Sequence, residues 1–287
     1  MDRRGQAFAL TMALVLAFAL AYVFIFVGPS PLMPGDNEII VAFLDVGQGD
    51  SILIRSRDNA VLIDGGDTNQ GPAVLEYLRQ AGISRLDYVI ATHPHSDHIG
   101  GLIPVMNRVE VGRVLMPDVV HTTATFENFL GVIENNQIPV TAPMAGDNFR
   151  AGIIDFTVLA PGAGFANLND ASIVIRLDHG ETSFIFTGDA EVGSERSMLA
   201  SGLDLHADVI KIGHHGSRTS SSGAFLDGVQ PAVAVISVGR GNRFGHPHPE
   251  VLERLVYRGI AILRTDELGT IVLATDGENI VLLPGLE

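Results

Sequence analysis

At 287 residues, 46% of them hydrophobic, the chain is long enough for one large domain or two small ones with a substantial core. It has no cysteine, which excludes a disulfide framework and thiolate chemistry. A net charge of −15, with Lys211 the only lysine among 18 basic residues, excludes nucleic-acid recognition by a broadly basic surface; such contact has to come from a local patch or a bound metal ion.

Asp2-Arg3-Arg4 precedes an uncharged apolar run from Ala7 to Val27. As a helix this run would be about 30 Å long, the thickness of a bilayer core. It exceeds the usual apolar region of a signal peptide, and no A-x-A-like site follows it. The expectation is one N-terminal transmembrane helix at 7–27, an uncleaved signal anchor, with a cleaved signal peptide and secreted form as the alternative. The basic flank assigns residues 1–6 to the cytoplasm and the domain to the outside. Residues 28–37, rich in Pro and Gly, read as a linker, which leaves 38–287 as the domain.

From Glu38 onward, short runs of Val, Ile, Leu and Phe alternate with turn residues. The pattern predicts strands near 39–45, 51–56, 60–64, 87–91, 113–116, 153–159, 172–177, 182–187, 208–212, 232–237, 260–264, 270–275 and 278–283. Helical spacing falls near 72–81, 102–108, 125–135, 192–201, 223–228 and 249–258, with Pro72 and Pro249 where a first helical residue would sit. Strands buried on both faces and separated by helices indicate a layered α/β domain. A weak internal repeat pairs Asp50-Ser-Ile-Leu-Ile-Arg…Gly-Asp67 with Asp170-Ala-Ser-Ile-Val-Ile-Arg…Gly-Asp189. If real, it makes the chain two facing halves, with Asp50 equivalent to Asp170 and Asp67 to Asp189.

The stretch Ala91–Gly101, ATHPHSDHIGG, concentrates His93, His95 and His98 around Asp97. Pro94 biases His93 towards an extended conformation, in which residues i and i+2 face the same way, so His93 and His95 can converge on one point. Asp97 and His98 fall where Gly100 and Gly101 let the chain turn. An imidazole pair on one side and a carboxylate with an imidazole on the other suits two adjacent metal ions, such as zinc with its His nitrogen and Asp oxygen ligands. The bland alternative is a polar loop of satisfied histidines.

HPHSDH resembles the HxHxDH motif of the metallo-β-lactamase fold superfamily. FLDVGQGDSILI (43–54), VIKIGHHGSRTSSS (209–222) and GRGNRFGHPHPEVLERL (239–255) resemble the C-terminal metallo-hydrolase domain of ComEC-type DNA-uptake competence proteins. The resemblance covers about residues 38–275 and implies an αββα metallo-β-lactamase-like sandwich. It implies that Asp189, at the end of FIFTGD, bridges two divalent metal ions, zinc or manganese, and that Asp64 orients a metal-binding histidine. As plain turn chemistry, Asp189 could instead cap a helix. His214 and His215 follow the strand DVIKI; adjacent histidines are expected to point apart, so one would bind metal and the other hold substrate or a carboxylate. The resembled superfamily has a further His ligand between the first motif and the bridging Asp. Here Asn167-Leu168-Asn169-Asp170 occupies that stretch, so Asn169 or Asp170 oxygen, or water, would replace it. His121 and His179 are poorly placed for the task.

Around the metal set, Gln48 and Asp50 lie in the first hairpin with a less definite role. Ser217 and Arg218 belong to a loop suited to cradle phosphate. Arg240, Asn242 and Arg243 belong to the GRGNRFGHPHPE stretch. His246 is a candidate general acid or phosphate contact, and His248 a cap or surface residue. There is no GxSxG, no Walker loop, and GQGDS lacks the third glycine of a dinucleotide loop. The expected activity is metal-dependent hydrolysis of a phosphodiester or nucleic acid, with Asp97, His215 and His246 in the reaction. The alternatives are hydrolysis of another ester or amide (a phosphocholine ester, lactone or lactam) and a metal-binding, non-catalytic surface protein. One predicted span is too few for the channel of ComEC-type proteins. The sequence identifies no protein partner.

Overall fold

Alternate residues of each inner strand go to different cores, and this decides the architecture. Ile39, Val41 and Phe43 enter one buried cluster, while Ile40 and Ala42 enter another on the opposite face. The computed structural model describes residues 33–162, 164–165 and 167–284. The apolar run at 7–27 lies outside them. Among the described residues no helix is long and apolar enough to cross a membrane.

One sheet contains β1 (Ile39–Phe43), β2 (Ile52–Arg55), β3 (Ala60–Ile63), β4 (Arg85–Ile90), β5 (Glu110–Leu115), β6 (Val140–Thr141), β14 (Ile271–Thr275) and β15 (Ile280–Leu283), in the order β15-β14-β1-β2-β3-β4-β5-β6. The other contains β7 (Asn148–Ala151), β8 (Ile154–Ala160), β9 (Val174–His179), β10 (Thr182–Phe186), β11 (Val209–Lys211), β12 (Val233–Ile236) and β13 (Ala261–Arg264), in the order β13-β12-β11-β10-β9-β8-β7. Both sheets contribute to the cluster that holds Phe43, Ile63, Phe184 and Val235, so they stack face to face. The outer face of the first is covered by α1 (Gly71–Gln80), α2 (Ser96–Ile99), α3 (Leu102–Met106) and α4 (Ala124–Asn135). That of the second is covered by α5 (Val192–Ala200), α6 (Gly223–Val229) and α7 (Pro249–Tyr257), with the short α8 (Thr265–Leu268) after β13. The result is an αββα sandwich.

Pairing sense repeats between the sheets. From β14 through β1, β2 and β3 the neighbours are antiparallel, and from β3 through β4, β5 and β6 they are parallel. From β7 through β8, β9 and β10 they are antiparallel, and from β10 through β11, β12 and β13 parallel. The repeated hairpins are β2–β3 and β9–β10, in the same place in their sheets. The proposed equivalence of their carboxylates fails. Asp67 caps the 3-10 turn Thr68–Gln70, its side chain accepting from Thr68 N at 2.7 Å, whereas Asp189 is buried. Asp50 meets Lys211, whereas Asp170 accepts from Glu191 N (3.2 Å) and Ser194 N (2.9 Å) at the start of α5.

Sequence periodicity misses β6 and β7. The first is two residues long, and the second is a polar edge strand whose Asn148 and Arg150 bond across to Thr157 and Asp155. Strands β4 and β5 begin earlier than predicted, because an Arg85–Glu110 ion pair extends the pairing into charged sequence.

The segment that carries HPHSDH is pinned by backbone. Gly65 N donates to His98 O (2.7 Å) and Gly101 N to Gly66 O (2.9 Å). A Cβ on Gly101 would strike the Gly65 carbonyl oxygen, which belongs to rigid backbone after β3. Gly101→Ala should therefore cost about 1–3 kcal/mol, read as a lower urea midpoint with an unchanged slope. An unchanged midpoint would mean that the two segments do not pack this closely.

Candidate metal centre

The parallel strands of both sheets end at one edge of the sandwich, the usual place for a ligand in α/β sheets. Asp64 follows β3, Thr92 and His93 follow β4, Asp189 follows β10, His214 and His215 follow β11, and the 239–248 loop follows β12.

Asp189 is the meeting point. Its Oδ2 lies 3.8 Å from His93 Nε2 and 3.7 Å from His214 Nε2. Its Oδ1 lies 3.3 Å from His98 Nε2 and 3.5 Å from His215 Nε2. His95 Nδ1 is 2.9 Å from His93 Nε2, and Asp97 Oδ2 is 3.5 Å from His215 Nε2. One half thus brings His93 and His214 to one oxygen of Asp189, with His95 against His93. The other brings His98 and His215 to the second oxygen, with Asp97 against His215. Four-coordinate zinc with ligands at about 2.0–2.2 Å spaces them about 3.3–3.6 Å apart, close to most of these separations.

The backs of the rings are tied down. His98 Nδ1 donates to Asp64 Oδ2 (2.8 Å), and Asp64 also accepts from Thr92 N (2.8 Å) and Thr92 Oγ1 (2.7 Å). His214 Nδ1 donates to Glu191 Oε1 (3.0 Å), which also accepts from Thr219 Oγ1 (2.7 Å). His215 Nδ1 donates to Ser237 O (3.0 Å). With Nδ1 committed in this way, each Nε2 points at Asp189 and, once free of its proton, offers a lone pair there, the arrangement that carboxylates and carbonyls impose on metal-binding histidines. His98 Nε2, His215 Nε2 and Asp189 Oδ1 are buried without a hydrogen-bond partner. Converging buried acceptors of this kind fit a cation.

In the metal-free cluster, protons supply the positive charge that the site draws in. Burial works to lower the His98 and His215 pKa values, but Asp189 and the other nearby carboxylates outweigh it, holding His98 well above its usual range and His215 up at about 9. Burial works to raise Asp189, and the imidazoles of His215 and His98 outweigh it and hold it well below. The cluster therefore draws positive charge towards Asp189. Burial, then the neighbouring His98, keeps His93 and His95 neutral, the form that binds metal.

Both His214 and His215 turn towards Asp189, contrary to the expectation that they point apart. Each has a left-handed backbone (φ 47° and 52°) in the 3-10 turn Gly213–Gly216, so the rings follow a helical rather than an extended progression. Asp170 is spent on capping α5, not on the histidines. Asn169 Nδ2 approaches Glu191 Oε1 and His214 Nδ1, both at 3.4 Å, and its Oδ1 is buried without a partner. Ser217 bonds Thr219 (2.9 Å), so these hydroxyls support Glu191 rather than facing outward as a free cradle. Arg218 is exposed, 3.6 Å from Glu250, and its backbone N donates to His248 Nδ1. Gln48 Oε1 accepts from Gly239 N, Arg240 binds Asp266 O, and Asn242 bonds within its own loop, while Arg243 lies over the Phe244 ring. The His246 ring is 5.5 Å from His214, and His121 is 6.0 Å from His95 at the opposite rim; His179 binds Asn37 O instead.

Three residues at the centre escaped the sequence reading. Lys211 is fully buried, paired with Asp50, donates to Gly188 O (2.8 Å) and lies 4.0 Å from Asp189 Oδ1. Its being the only lysine in the chain was the available signal. Thr92 and Glu191 had none, since a Thr or Glu near a motif is ordinary.

A family model, described as the metallo-beta-lactamase superfamily, matches residues 44–240. The chain belongs to the metallo-β-lactamase superfamily. It is similar to ComE operon protein 3 of Bacillus subtilis (strain 168), 33% identical over 260 residues that make up 84% of this chain and 33% of that protein. It is also similar to competence protein ComA of Neisseria gonorrhoeae, 32% identical over 258 residues, 86% of this chain and 34% of that protein. The chain thus spans about a third of the length of these relatives. Among solved structures, CmlA, a diiron beta-hydroxylase from Streptomyces venezuelae, shares the fold with a TM-score of 0.56 at 16% identity, covering 86% of this chain and 55% of that one. Superfamily membership implies divalent metal ions, and the His/Asp cluster is where this metallo-β-lactamase-fold hydrolase could hold them.

Metal content of the purified chain should fall in Asp97→Ala and fall further in Asp189→Ala, which removes a carboxylate facing both halves. Glu191→Gln should weaken zinc affinity about 10–100-fold, measured by chelator competition. Full occupancy in both Asp variants would remove the centre from this edge of the sandwich.

Proposed function

We propose that this superfamily hydrolase cleaves phosphodiesters at a dinuclear centre, with nucleic acid as the substrate. The observation that carries the reading is Asp189, whose two oxygens face two separate groups of imidazoles. His93, His95 and His214 would hold one ion, and Asp97, His98 and His215 the other, with Asp189 shared between them. Imidazole and carboxylate together fit zinc, and the oxygen of Asn169 beside them leaves manganese open. Two divalent ions, when bound, supply a hydroxide at neutral pH and neutralise charge on the phosphoryl oxygens. The similarity to competence proteins supports nucleic acid as the source of that phosphodiester.

The chain's own groups then divide the remaining work. Lys211 neutralises Asp50 and leaves Asp189 for the centre. Burial, then the imidazoles of His214, His215 and His248, pushes His246 down to about 4, so it is neutral at pH 7. A neutral His246 offers one N–H to a phosphoryl or leaving oxygen, which suits hydrogen bonding better than release of a proton from imidazolium. Arg218 and Arg243, both exposed, would contact flanking phosphates. The membrane anchor at 7–27, with the centre on the outer side, belongs to the same proposal and rests on that run's length and basic flank.

The deciding experiment is a substrate panel for the full chain with zinc or manganese. Chelator-sensitive cleavage of bis(p-nitrophenyl) phosphate and of single-stranded DNA is expected, with a modest salt slope of about two or three phosphate contacts. His246→Ala should lower kcat about 100-fold with a smaller effect on KM. Opening of a lactam or lactone, with no phosphodiester cleaved, would replace the reading. A metal-loaded chain that cleaves nothing would make it a binding protein.

A further inference from the structure

Phe244 is 49% exposed at its place on the loop that follows β12, two ring-to-ring steps from the metal centre. Single exposed apolar side chains are ordinary. This one is held rigidly at the rim of a polar site. Asn242 fixes the loop with both ends of its side-chain amide: Oδ1 accepts from Phe244 N (3.1 Å) and His246 N (3.0 Å), and Nδ2 donates to Gly239 O (3.0 Å) and His246 O (2.6 Å). Gly239 N is tied to Gln48 and the Arg240 guanidinium to Asp266 O, while Gly245 turns the chain at φ 73°. The side chain is thus presented to solvent on a preorganised support.

The flat groups around it form a series. The Phe244 ring stacks on His246 with centroids 5.7 Å apart and planes at 23°. His246 in turn meets His214 at 5.5 Å, and His214 Nε2 faces Asp189. The Arg243 guanidinium carbon lies 4.9 Å from the Phe244 centroid, a cation–π distance, and among the described residues Arg243 has no carboxylate partner. Exposed aromatic rings beside arginine, leading into a phosphate-processing centre, are what unpaired bases stack on. The chain's −15 net charge gives no long-range attraction to a polyanion, so affinity has to come from short-range contacts, of which stacking is one.

We propose that Phe244, backed by His246 and carrying the Arg243 guanidinium over its ring, forms with that guanidinium a stacking platform for an unpaired nucleobase beside the scissile phosphate. The preferred substrate class is then a single-stranded polynucleotide or a frayed end, taken without strict base preference because every base has a π-face. Paired bases inside a duplex cannot reach the ring. This inference rests on the phosphodiesterase reading and adds the substrate class to it.

The test uses the zinc-loaded full chain and a cleavage-resistant phosphorothioate single strand carrying 2-aminopurine, whose fluorescence is quenched by stacking. The wild type should quench it. Phe244→Ala should abolish quenching and weaken binding at least about fivefold, and Phe244→Trp should keep both. Zinc content and circular dichroism of each variant report an intact fold. An abasic strand of the same length should bind the wild type as weakly as the parent strand binds Phe244→Ala. No quenching by the wild type, equal quenching by Phe244→Ala, or tight binding of the abasic strand each overturns the platform. Hydrolysis of bis(p-nitrophenyl) phosphate by the wild type, run in parallel, keeps the two ideas apart. Hydrolysis without stacking sinks the platform alone, and stacking without hydrolysis of any phosphodiester sinks the catalytic reading.

Discussion

Three carboxylates, Asp50, Asp64 and Asp189, are buried within reach of one another at the end of the sandwich, with Asp97 at their edge. Each buried ion costs several kcal/mol unless its charge and lone pairs are met. Lys211 meets Asp50. Thr92 and His98 Nδ1 meet Asp64. Asp189 is left facing four ring nitrogens that, once their Nδ1 atoms are committed to other partners, are acceptors themselves. That frustration is relieved by protons, which His98 and His215 hold more tightly than usual, or by metal cations, and Asp64, Glu191 and Ser237 behind the rings keep the Nε2 atoms aimed inward for either. Removing those backing groups would free the rings to turn, donate to Asp189 and close the centre on itself.

The duplication of the fold explains how such a centre can be built. In each sheet the hairpin is followed by parallel strands whose ends point to the same edge. His93 follows β4 and His214 follows β11, the corresponding strand of the other half. Asp64 after β3 corresponds to Thr187 after β10, and both brace the next strand's end: Asp64 bonds Thr92, and Thr187 Oγ1 donates to Lys211 O at 2.7 Å. Across the interface Ile173 N donates to Thr92 O at 2.9 Å, stitching one half to the base of the other's motif. Neither half carries a complete ligand set, so a cation held between them also ties the sheets together, a linkage of binding to folding.

Legibility followed distance along the chain. HPHSDH could be read because its residues are local and an extended segment followed by a turn fixes their relative directions. The inner strands could be read because burial on both faces leaves apolar runs, and the helices because their apolar faces cover the sheets. What could not be read depends on backbone geometry or long-range partners. The left-handed pair at His214 and His215 reverses the rule for neighbouring side chains, and a Gly-His-His-Gly string does not announce it. Glu191 acquires its role from His214 and Thr219, 23 and 28 residues away, and Lys211 from Asp50. Asp170 looked like a substitute ligand because it sits where the resembled family supplies one. The start of α5 claims it first, since unsatisfied N–H groups there compete for the same oxygen.

The acidic surface and the cation-seeking centre pull recognition in one direction. A polyanion approaching a chain of net charge −15 is repelled at distances beyond the Debye length, about 8–10 Å at physiological salt, only weakly because screening is strong. Inside that distance the local charges decide. Under the proposed function the metal centre, Arg218 and Arg243 would face the phosphate groups there. Neutral His246 adds a hydrogen bond without a desolvation penalty for a second buried cation. Short-range recognition of this sort would be only modestly sensitive to salt and demanding in geometry, and the rigidity that Asn242 and Gln48 give the loop after β12 suits it. A flexible loop would have to lose its freedom on binding, at a cost that a protein without electrostatic steering has little affinity to offset.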